Sequence, residues 1–306
     1  MSAARAPRAL VVGEALVDVT RKPDGSVAEH PGGSPLNVAV TMARQGIDTT
    51  LAAQVGDDHF GSLVRAHLER SGVTLDGTGS SVPTASATAT LDEGGAATYE
   101  FDLHWDPESL PDPADFDLVH VGSIGAWMAP GADAVADLVR RAHASGQPVG
   151  FDPNVRPALA PSIPVLRQRV FDLARLSRFV KLSDEDAEVL ADGHGDPLSV
   201  LRELATHGPV LAALTRGGES AVLRSGDTEV EVQVPQVEVA DTIGAGDTWM
   251  GTLLTELLLR GWTDRTAFTA EELRELGKAA VAAAAITVSR PGADPPWRGE
   301  RLPPRG

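Results

Sequence analysis

The sequence predicts an α/β fold of three layers, in which a mainly parallel sheet carries helices on both faces, with a small β lid in addition. Short apolar runs rich in valine and leucine, as in strands buried on both faces, alternate with longer segments of helical periodicity. Glycine follows several of the helical segments, where it is typical of a helix C-terminus. With 306 residues and no low-complexity linker, the chain fits a single domain over residues 1–306.

The first elements alternate strand and helix. Each predicted strand is a short apolar run, and each predicted helix places its apolar residues on related faces. Both helices are followed by glycine, at Gly46 and Gly72. These elements are a strand at residues 9–13, a helix at 36–44, a strand at 51–55 and a helix at 60–71.

The alternation stops at the segment 84–103. Residues 84–91 and 97–103 mix small, polar and apolar side chains around the turn Asp92-Glu93-Gly94-Gly95, which predicts a hairpin with one solvated face. Because this hairpin lies outside the alternation, we expect an appendage to the main sheet, used as a lid or as a dimer contact. The expected lid segments are residues 17–30 and 84–105.

Strand and helix alternate again after the hairpin. This repetition of βα units favours a mainly parallel sheet with helices on both faces. The last two strands are expected to be antiparallel, around the turn Ser225-Gly226-Asp227, and the tail from Pro291 onward is irregular. The predicted strands are residues 118–121, 149–151, 179–181, 210–214, 221–223 and 229–234, and the predicted helices are residues 131–145, 165–176, 184–190, 198–207, 248–260 and 270–289.

The composition excludes several classes of protein. With 42% hydrophobic and 23% charged residues, the chain is globular and not disordered. Its 26 basic and 43 acidic residues give a formal net charge of −17, which disfavours non-specific binding to nucleic acid or to an anionic membrane. There is no cysteine, which excludes disulfides, a thiol nucleophile and thiolate metal sites.

The N-terminus and the apolar runs indicate a cytoplasmic protein. Residues 1–8 lack the apolar core and the small-residue cleavage site of a signal peptide. The longest apolar run, residues 279–286, is less than half of what a membrane span requires. We therefore expect a soluble cytoplasmic protein with no nucleic-acid or membrane partner.

The strongest chemical signal is the segment DTIGAGDT at residues 241–248, which leads into an apolar helix. Gly244, Ala245 and Gly246 leave almost no side chain at the helix N-terminus, where free N–H groups and the helix dipole form an anion site. Asp247 in the first turn is placed to accept a proton from an alcohol that attacks a bound phosphate. The alternative is a tight strand–helix turn in which Asp247 is only a cap.

Two further clusters are candidate ligand sites. Gly32 and Gly33 precede the helix that carries Asn37; paired glycines allow a ligand to approach the backbone, and the amide can bind hydroxyl groups. Asp18 lies just beyond the first strand, at the edge where ligands collect in open α/β sheets, and is placed to bind polyol hydroxyls. A glycine turn and a solvated acid are the alternatives for these two clusters.

Several nucleotide and hydrolase motifs are absent from the sequence. The G-x-x-x-x-G-K-[ST] phosphate loop is missing, as is G-x-G-x-x-G after the first strand, which disfavours a P-loop enzyme and a dinucleotide-dependent dehydrogenase. The H-E-x-x-H and G-x-S-x-G motifs are missing as well. Their absence weakens the hypotheses of a metallohydrolase and a serine hydrolase.

Residues 32–39 (GGSPLNVA) and 241–247 (DTIGAGD) are similar to the two signatures of the ribokinase-like family of sugar kinases, the phosphofructokinase B type. The two motifs stand in the family's order, and the resemblance covers essentially the whole chain. Within the family it is closest to bacterial fructokinases, through residues 13–18 (GEALVD), 151–156 (FDPNVR) and 181–185 (KLSDE). These three segments are shared with 2-keto-3-deoxygluconate kinases, so they narrow the substrate without fixing it.

The resemblance implies an ATP-dependent kinase that phosphorylates a primary hydroxyl of a small sugar, with fructose as the leading substrate and Mg²⁺ bridging the nucleotide phosphates. It implies that Asp247 is the general base and that the amides of Gly244, Ala245 and Gly246 stabilise the transferring γ-phosphoryl group. Arg156 is implied either as a sugar contact or as a partner in a salt bridge. The other implied binding residues are Asp18, Gly32, Gly33 and Asn37 for the sugar, and Lys181, Ser183, Thr215, Gly217, Gly218, Val281 and Ala282 for the nucleotide.

Two acidic residues are implied as metal contacts. Asp186 matches a family glutamate that reaches magnesium-bound water, but it is one methylene shorter. Asp241, with carbonyls near residues 289–292, matches a loop that binds a monovalent cation such as K⁺. The second hairpin strand, residues 99–105, has no arginine, whereas many keto-deoxygluconate kinases and some fructose kinases carry one there, and this departure favours a neutral sugar.

Alternatives of two kinds stay open at the level of sequence. One is another kinase of the same family, acting on 2-keto-3-deoxygluconate, ribose or a nucleoside. The other is a non-catalytic sugar-binding sensor, although a sensor has no need of a base such as Asp247 beside an anion site. The expected partners are a small sugar and ATP, with a homodimer through the lid as the other use of the hairpin, and closure of residues 84–103 over the sugar is expected to exclude water.

Overall fold

The computed structural model describes residues 5–77, 81–92, 94, 96–160, 162–191, 193 and 195–302, and it has the predicted α/β fold. A large, mostly parallel sheet lies between two layers of helices, and a second, smaller sheet is attached to it. The strands are β1 (Arg8–Val12), β2 (Leu16–Arg21), β3 (Val27–Gly32), β4 (Asp48–Ala53), β5 (Thr74–Gly77), β6 (Ala85–Leu91), β7 (Ala97–Asp102), β8 (Leu118–Gly122), β9 (Val149–Asp152), β10 (Phe179–Ser183), β11 (Leu211–Arg216), β12 (Ser220–Ser225) and β13 (Thr228–Gln233). The helices are α1 (Ser34–Arg44), α2 (His59–Ser71), α3 (Ser123–Trp127), α4 (Ala132–Ala144), α5 (Ile163–Leu176), α6 (Asp184–Ala191), α7 (Pro197–Ala205), α8 (Ala245–Leu259) and α9 (Ala270–Val288).

The large sheet has the order β13-β12-β11-β10-β9-β8-β1-β4-β5 over the described residues. All neighbours from β11 to β5 are parallel, and β12 and β13 are antiparallel at one edge, as predicted for the last two strands. Because parallel strands are joined by crossovers, their carboxyl ends lie along a single edge of the sheet. Loops that follow different strands therefore meet at that edge.

Both faces of the central strands of the large sheet are buried, as the continuous apolar runs predict. In β1, Ala9 and Val11 belong to the core formed with α1, α2, α8 and α9, whereas Leu10 and Val12 belong to the core formed with α4 to α7. All four side chains are fully buried. A strand held from both sides has a fixed carboxyl end, which gives the loops beyond it a rigid base.

The small sheet has the order β3-β2-β6-β7 among the described strands, and β6 and β7 form the predicted hairpin. Two residues of its turn, Glu93 and Gly95, lie outside the described residues. The strands β2 and β3 form a second antiparallel hairpin within the expected lid segment 17–30, which the sequence pattern did not resolve into strands. Since β2 pairs with β6, which lies far along the chain, long-range pairing decides these strands.

Other elements differ from the sequence pattern at their ends. The strand β5 and the short helix α3 were not predicted; β5 is a four-residue strand that pairs only with β4 among the described strands. Helix α8 begins at Ala245 rather than Thr248, which leaves Asp247 in its first turn. In the described part of the chain, no helix is both long enough and apolar enough to span a membrane.

The C-terminal segment after α9 is irregular, as expected, but it is fastened to α1. Arg44 Nη1 donates hydrogen bonds to Asp294 Oδ1 at 2.6 Å and to the Pro295 carbonyl at 2.7 Å, and its guanidinium lies over the Trp297 ring. These contacts tie the segment to the end of α1, and Ala293 within it lies against Gly244 at the N-terminus of α8. The predicted tail residues Pro303 and Pro304 lie outside the described residues.

Candidate active site

A cavity of about 930 Å³ lies at the carboxyl ends of β1, β8, β9, β10 and β11, between the large sheet and the lid. Ligands collect at this edge in open α/β sheets. The predicted site residues on its wall are Asp18, Gly33, Asn37, Arg156, Lys181, Ser183, Thr215, Gly217, Gly218, Gly244, Ala245, Gly246, Asp247 and Val281. The predicted site residues that do not line it are Gly32, Asp186, Asp241 and Ala282.

Asp247 is held by two residues of α1. Ser34 Oγ donates a hydrogen bond to Asp247 Oδ1 at 2.6 Å, and Asn37 Nδ2 donates one to Oδ2 at 2.8 Å. Asn37 Oδ1 is buried and has no partner among the described residues, so it can accept a hydrogen bond from a ligand hydroxyl. A carboxylate whose orientation is fixed in this way, on the wall of a cavity, is suited to take a proton from a bound alcohol.

The N-terminus of α8 presents unpaired backbone N–H groups beside this carboxylate. Gly244 caps the helix with φ = 75°, a left-handed conformation that favours glycine. Ala245 N makes only a 3.4 Å hydrogen bond to the Thr242 carbonyl, and the N–H groups of Gly246 and Asp247 have no partner in the described part of the chain. Together with the helix dipole, these N–H groups could bind an anion, and Ala245 and Gly246 are two of the three residues predicted to do so.

The paired glycines before α1 bring two segments of backbone together. Gly33 has φ = 103°, and a Cβ added to it would lie 2.7 Å from the Glu14 carbonyl oxygen. Gly32 does not line the cavity; a Cβ added there would lie 2.2 Å from Asp18 Oδ2. Gly32 therefore makes room for the Asp18 carboxylate, and Gly33 forms the wall itself.

Asp18 and Arg156 lie at the lid end of the cavity, where the positive charge of Arg156 acts on the Asp18 carboxylate. Burial raises the pKa of Asp18 to about 6, His30 and Arg156 lower it, and Asp247 raises it further. Arg156 donates a hydrogen bond to the Val155 carbonyl at 3.0 Å and forms no ion pair with a described acid. Of the two alternatives for Arg156, the structure therefore shows no salt bridge and leaves a sugar contact as a prediction.

Three wall residues that the sequence analysis did not single out follow β1, β8 and β9. Asn154 Nδ2 donates to Ser123 Oγ at 3.1 Å, and Gly125 N donates to Glu14 Oε2 at 3.1 Å. Ser123 (φ = 53°) and Asn154 (φ = 38°) have left-handed backbones, a strain that is common at functional sites. Glu14 and Asn154 lie within the fructokinase-like segments 13–18 and 151–156, whereas the only sequence signal of Ser123 was its position directly after a buried parallel strand.

Glu14 is the most strongly desolvated acid on the cavity wall. Burial raises its pKa to about 7; hydrogen bonds from Ser123 and Gly125 lower it, and the Asp247 charge raises it. Glu14 is 5% exposed. Because this pKa lies near neutral pH, part of the Glu14 population is protonated there, and the protonated carboxyl group can donate a hydrogen bond.

The predicted nucleotide residues lie on one side of the cavity. Ser183 and Thr215 end the neighbouring strands β10 and β11, and Gly217 (φ = 47°) follows in the turn to β12. Val281 on α9 lines the cavity, but Ala282 does not; Ala284, Ala285 and Val288 take its place on the wall. The reason is helical periodicity, since residues three and four positions after Val281 share its face and the next residue does not.

The two predicted metal contacts are engaged with backbone. Asp186 is 3% exposed; its Oδ1 accepts from Val155 N at 2.6 Å and its Oδ2 from Ser183 N at 2.9 Å. Asp241 accepts from Ile243 N at 3.0 Å and from Gly292 N at 2.9 Å, and so joins the loop before α8 to the segment after α9. Asp241 thus meets the predicted residues 289–292, whereas Asp186 is held beneath the cavity wall.

Comparison with known proteins identifies the family of this chain. The family model described as pfkB family carbohydrate kinase matches residues 6–298. Fructokinase from Klebsiella pneumoniae is 32% identical over 273 residues, which cover 86% of this chain and 88% of that protein.

Solved structures of similar proteins have the same fold. The crystal structure of fructokinase with bound ATP from Xylella fastidiosa matches with a TM-score of 0.83 and 28% identity, over 94% of this chain and 93% of that one. Fructokinase from Vibrio cholerae O395 in a form with bound fructose, ADP and calcium matches with a TM-score of 0.79 and 25% identity, over 94% of both chains. The matches thus extend over nearly the whole chain.

Proposed function

This chain belongs to the pfkB family of carbohydrate kinases, and from that premise we propose that it transfers the γ-phosphoryl group of ATP to a primary hydroxyl of fructose. The observation that carries the proposal is the placement of the Asp247 carboxylate. It is fixed by Ser34 and Asn37 and lies one residue beyond the free N–H of Gly246. A base beside an anion site is what transfer of a phosphoryl group to an alcohol requires.

In the proposed reaction, Asp247 accepts the proton of the sugar hydroxyl. The hydroxyl oxygen forms a bond to the γ-phosphorus, the bond from that phosphorus to the β–γ bridging oxygen breaks, and ADP leaves with the electron pair of the broken bond. The N–H groups of Gly244, Ala245 and Gly246 stabilise the negative charge on the transferring phosphoryl group. They do not have to move during the reaction, because the start of α8 already holds them in place.

Asp18, Gly33 and Asn37 are proposed to hold the sugar hydroxyls beside Asp247. All three line the lid end of the cavity, and Asn37 Oδ1 has no partner among the described residues. The lid strand β7 ends in a segment without arginine, so a carboxylate-bearing sugar finds no guanidinium on that strand, and Arg156 is the arginine that lines this end of the cavity. The missing arginine favours fructose over 2-keto-3-deoxygluconate as the substrate. Ribose and ribosides are further candidate substrates, and the assay described below includes them.

The nucleotide is proposed to lie along β10, β11 and α9, against Lys181, Ser183, Thr215 and the turn at Gly217 and Gly218. Among the described residues no group of three or more acidic or histidine side chains is gathered to hold a metal. Magnesium needs no such group, because it is usually held by one or two carboxylates together with the nucleotide phosphates and water. Asp184 and Glu185 lie on the wall at this end. When bound, the ion neutralises charge on the phosphates.

Asp186 and Asp241 keep the roles that the family resemblance implies, as proposals. Asp186 is proposed to act on magnesium-bound water from its buried position at the start of α6. Asp241 is proposed to belong to a site for K⁺, because it joins the loops at residues 241–243 and 289–292.

The lid is proposed to close over the sugar and to exclude water, which suppresses hydrolysis of ATP. Tyr99 and Phe101 on β7 line the cavity, stack on each other with ring centroids 6.2 Å apart, and are 62% and 47% exposed. Closure would cover these rings. A homodimer through the same lid remains the alternative use of this surface.

The test is a coupled assay of ADP release over a panel of fructose, ribose, 2-keto-3-deoxygluconate and ribosides, with wild type and Asp247→Asn. We expect fructose to turn over fastest and Asp247→Asn to lower kcat by about 10³-fold or more, while fructose affinity by calorimetry stays close to wild type. Asp227→Asn, at an exposed turn, is the matched control and should retain full activity.

Three results would contradict the proposal. Retained turnover in Asp247→Asn removes the assigned base. Turnover of another sugar with fructose inert refutes the substrate and keeps the kinase. Binding of sugar by the wild type with no turnover on any member of the panel favours the sensor alternative.

A further inference from the structure

A buried ion pair lies beneath the anion site, between Lys181 on β10 and Asp152 on β9. Lys181 Nζ donates to Asp152 Oδ2 at 2.8 Å, and the two side chains are 5% and 0% exposed. Desolvation of two charges offsets most or all of their attraction, so a buried ion pair is a poor means of stabilising a fold. The position of this pair, next to the anion site, indicates a role in phosphoryl transfer instead.

Lys181 has free hydrogen-bonding capacity where the cavity meets α8. An ammonium group has three N–H donors, and Lys181 uses one of them toward the described residues. Its side chain lines the cavity, and a Cβ added to Gly246 would lie 2.9 Å from Lys181 Nζ. The ammonium therefore lies against the first turn of α8, next to the N–H groups of the anion site.

Asp152 keeps this lysine charged and in place. Burial by itself lowers the pKa of Lys181, but the carboxylates of Asp152, Asp186 and Asp247 together raise it above its usual value, with Asp152 in direct contact. The other titratable neighbour, His120 on β8, has its pKa lowered by burial to about 3 and is neutral. Asp152 Oδ1 has no partner among the described residues, so Lys181 is the one side chain that holds this carboxylate.

We propose that Asp152 is a positioning residue for phosphoryl transfer: it holds the Lys181 ammonium against the first turn of α8, where the lysine binds the γ-phosphoryl group as it transfers. This rests on the proposed kinase reaction. The carboxylates of Asp152, Asp186 and Asp247 lie around the site and repel an incoming phosphoryl group. The backbone amides alone therefore do not compensate its negative charge. A fixed ammonium supplies the missing charge-assisted hydrogen bonds in the transition state.

The test compares Asp152→Asn, Lys181→Met and the double variant. We expect each single variant to lower kcat by about 10²-fold, as for loss of one oxyanion donor, with KM for the sugar changed less than about twofold. Because Asp152 acts through Lys181, the double variant should lose no more than Lys181→Met alone. The double variant removes both charges, so no unpaired charge stays buried. Its kcat can therefore be measured even if Asp152→Asn alone does not fold.

The pH profile separates positioning from a merely structural role. In Asp152→Asn the lysine loses its nearest counter-charge, so kcat should fall at a lower alkaline pH than in wild type. Adding Lys181→Arg to Asp152→Asn should remove that fall, because arginine stays charged. A wild-type kcat in Asp152→Asn overturns the proposal, as does a double variant whose loss equals the product of the two single losses.

Asp247→Asn is measured in parallel, with the sugar that turns over fastest in the panel. If the wild type phosphorylates no sugar, the proposed function fails and this inference fails with it. If Asp247→Asn is inactive while Asp152→Asn keeps its kcat and pH profile, the kinase proposal stands and only the role of Asp152 is refuted.

Discussion

Replacing Gly251 with alanine is expected to push α1 away from α8 and so to misplace the groups that hold Asp247. Gly251 lies one turn beyond Asp247 on α8 and faces α1. A Cβ added there would lie 2.7 Å from Thr41 Cβ, 2.8 Å from Thr41 Cγ2 and 3.1 Å from the Val38 carbonyl oxygen. These atoms are a β-carbon, its methyl and backbone, so rotation of a flexible side chain cannot relieve the contact.

The size of the displacement follows from these distances. Carbon atoms prefer a separation of at least about 3.5 Å, so the helices must move apart locally by about 0.8 Å. The hydrogen bonds from Ser34 and Asn37 to Asp247, now 2.6 and 2.8 Å, would lengthen to the limit of a hydrogen bond. We expect kcat to fall by about 10²-fold and the free energy of unfolding to fall by about 1–3 kcal/mol.

The assay is steady-state kinetics combined with denaturant unfolding, and Gly277→Ala is the matched control. A Cβ at Gly277 would meet Leu223 Cδ1 at 2.8 Å and Val232 Cγ2 at 2.9 Å, which is a similar overlap on α9 away from Asp247. The atoms met at Gly277 are ends of side chains, which shift more readily than the Thr41 Cβ and the α1 backbone, so this control should lose less stability than Gly251→Ala and keep its kcat. A wild-type kcat in Gly251→Ala, or an equal loss of kcat in Gly277→Ala, would refute the view that the contact between α1 and α8 positions the base.

Two further predictions concern charge at the site. The pKa of Glu14 rises from 4.5 to about 7 on folding, and burial is the largest cause. The folded protein therefore binds this proton more tightly than the unfolded chain, so the free energy of unfolding is highest below pH 4.5 and falls as the pH rises from 4.5 through 7. Glu14→Gln should remove this loss of stability, which is about 3 kcal/mol. Denaturant unfolding of wild type and variant at about pH 5 and about pH 8 measures it, and an unchanged pH dependence in the variant would show that Glu14 is not the titrating group. Asp241→Asn should abolish stimulation of kcat by K⁺ relative to a large organic cation, and equal stimulation in the variant would exclude Asp241 from the cation site.

Much of the fold was predictable because its strands are buried on both faces. Runs such as residues 9–13 and 210–214 are continuously apolar for that reason, and period and length then identify each βα unit. The strands β2, β3 and β5 were not predicted, since they lie in a partly solvated sheet or at an edge, where pairing with distant segments decides the conformation.

The candidate site divides in the same way. By itself the sequence determined the α/β class, the two glycine-rich helix starts and Asp247 in a first turn, because these depend on local backbone geometry and short-range pattern. Only the tertiary structure decided that Ser34 and Asn37 hold Asp247, that Asp152 pairs with Lys181, and that Glu14, Ser123 and Asn154 share a wall. Those contacts join segments far apart in the chain at one edge of a parallel sheet, and which segments meet there is set by the order of the strands.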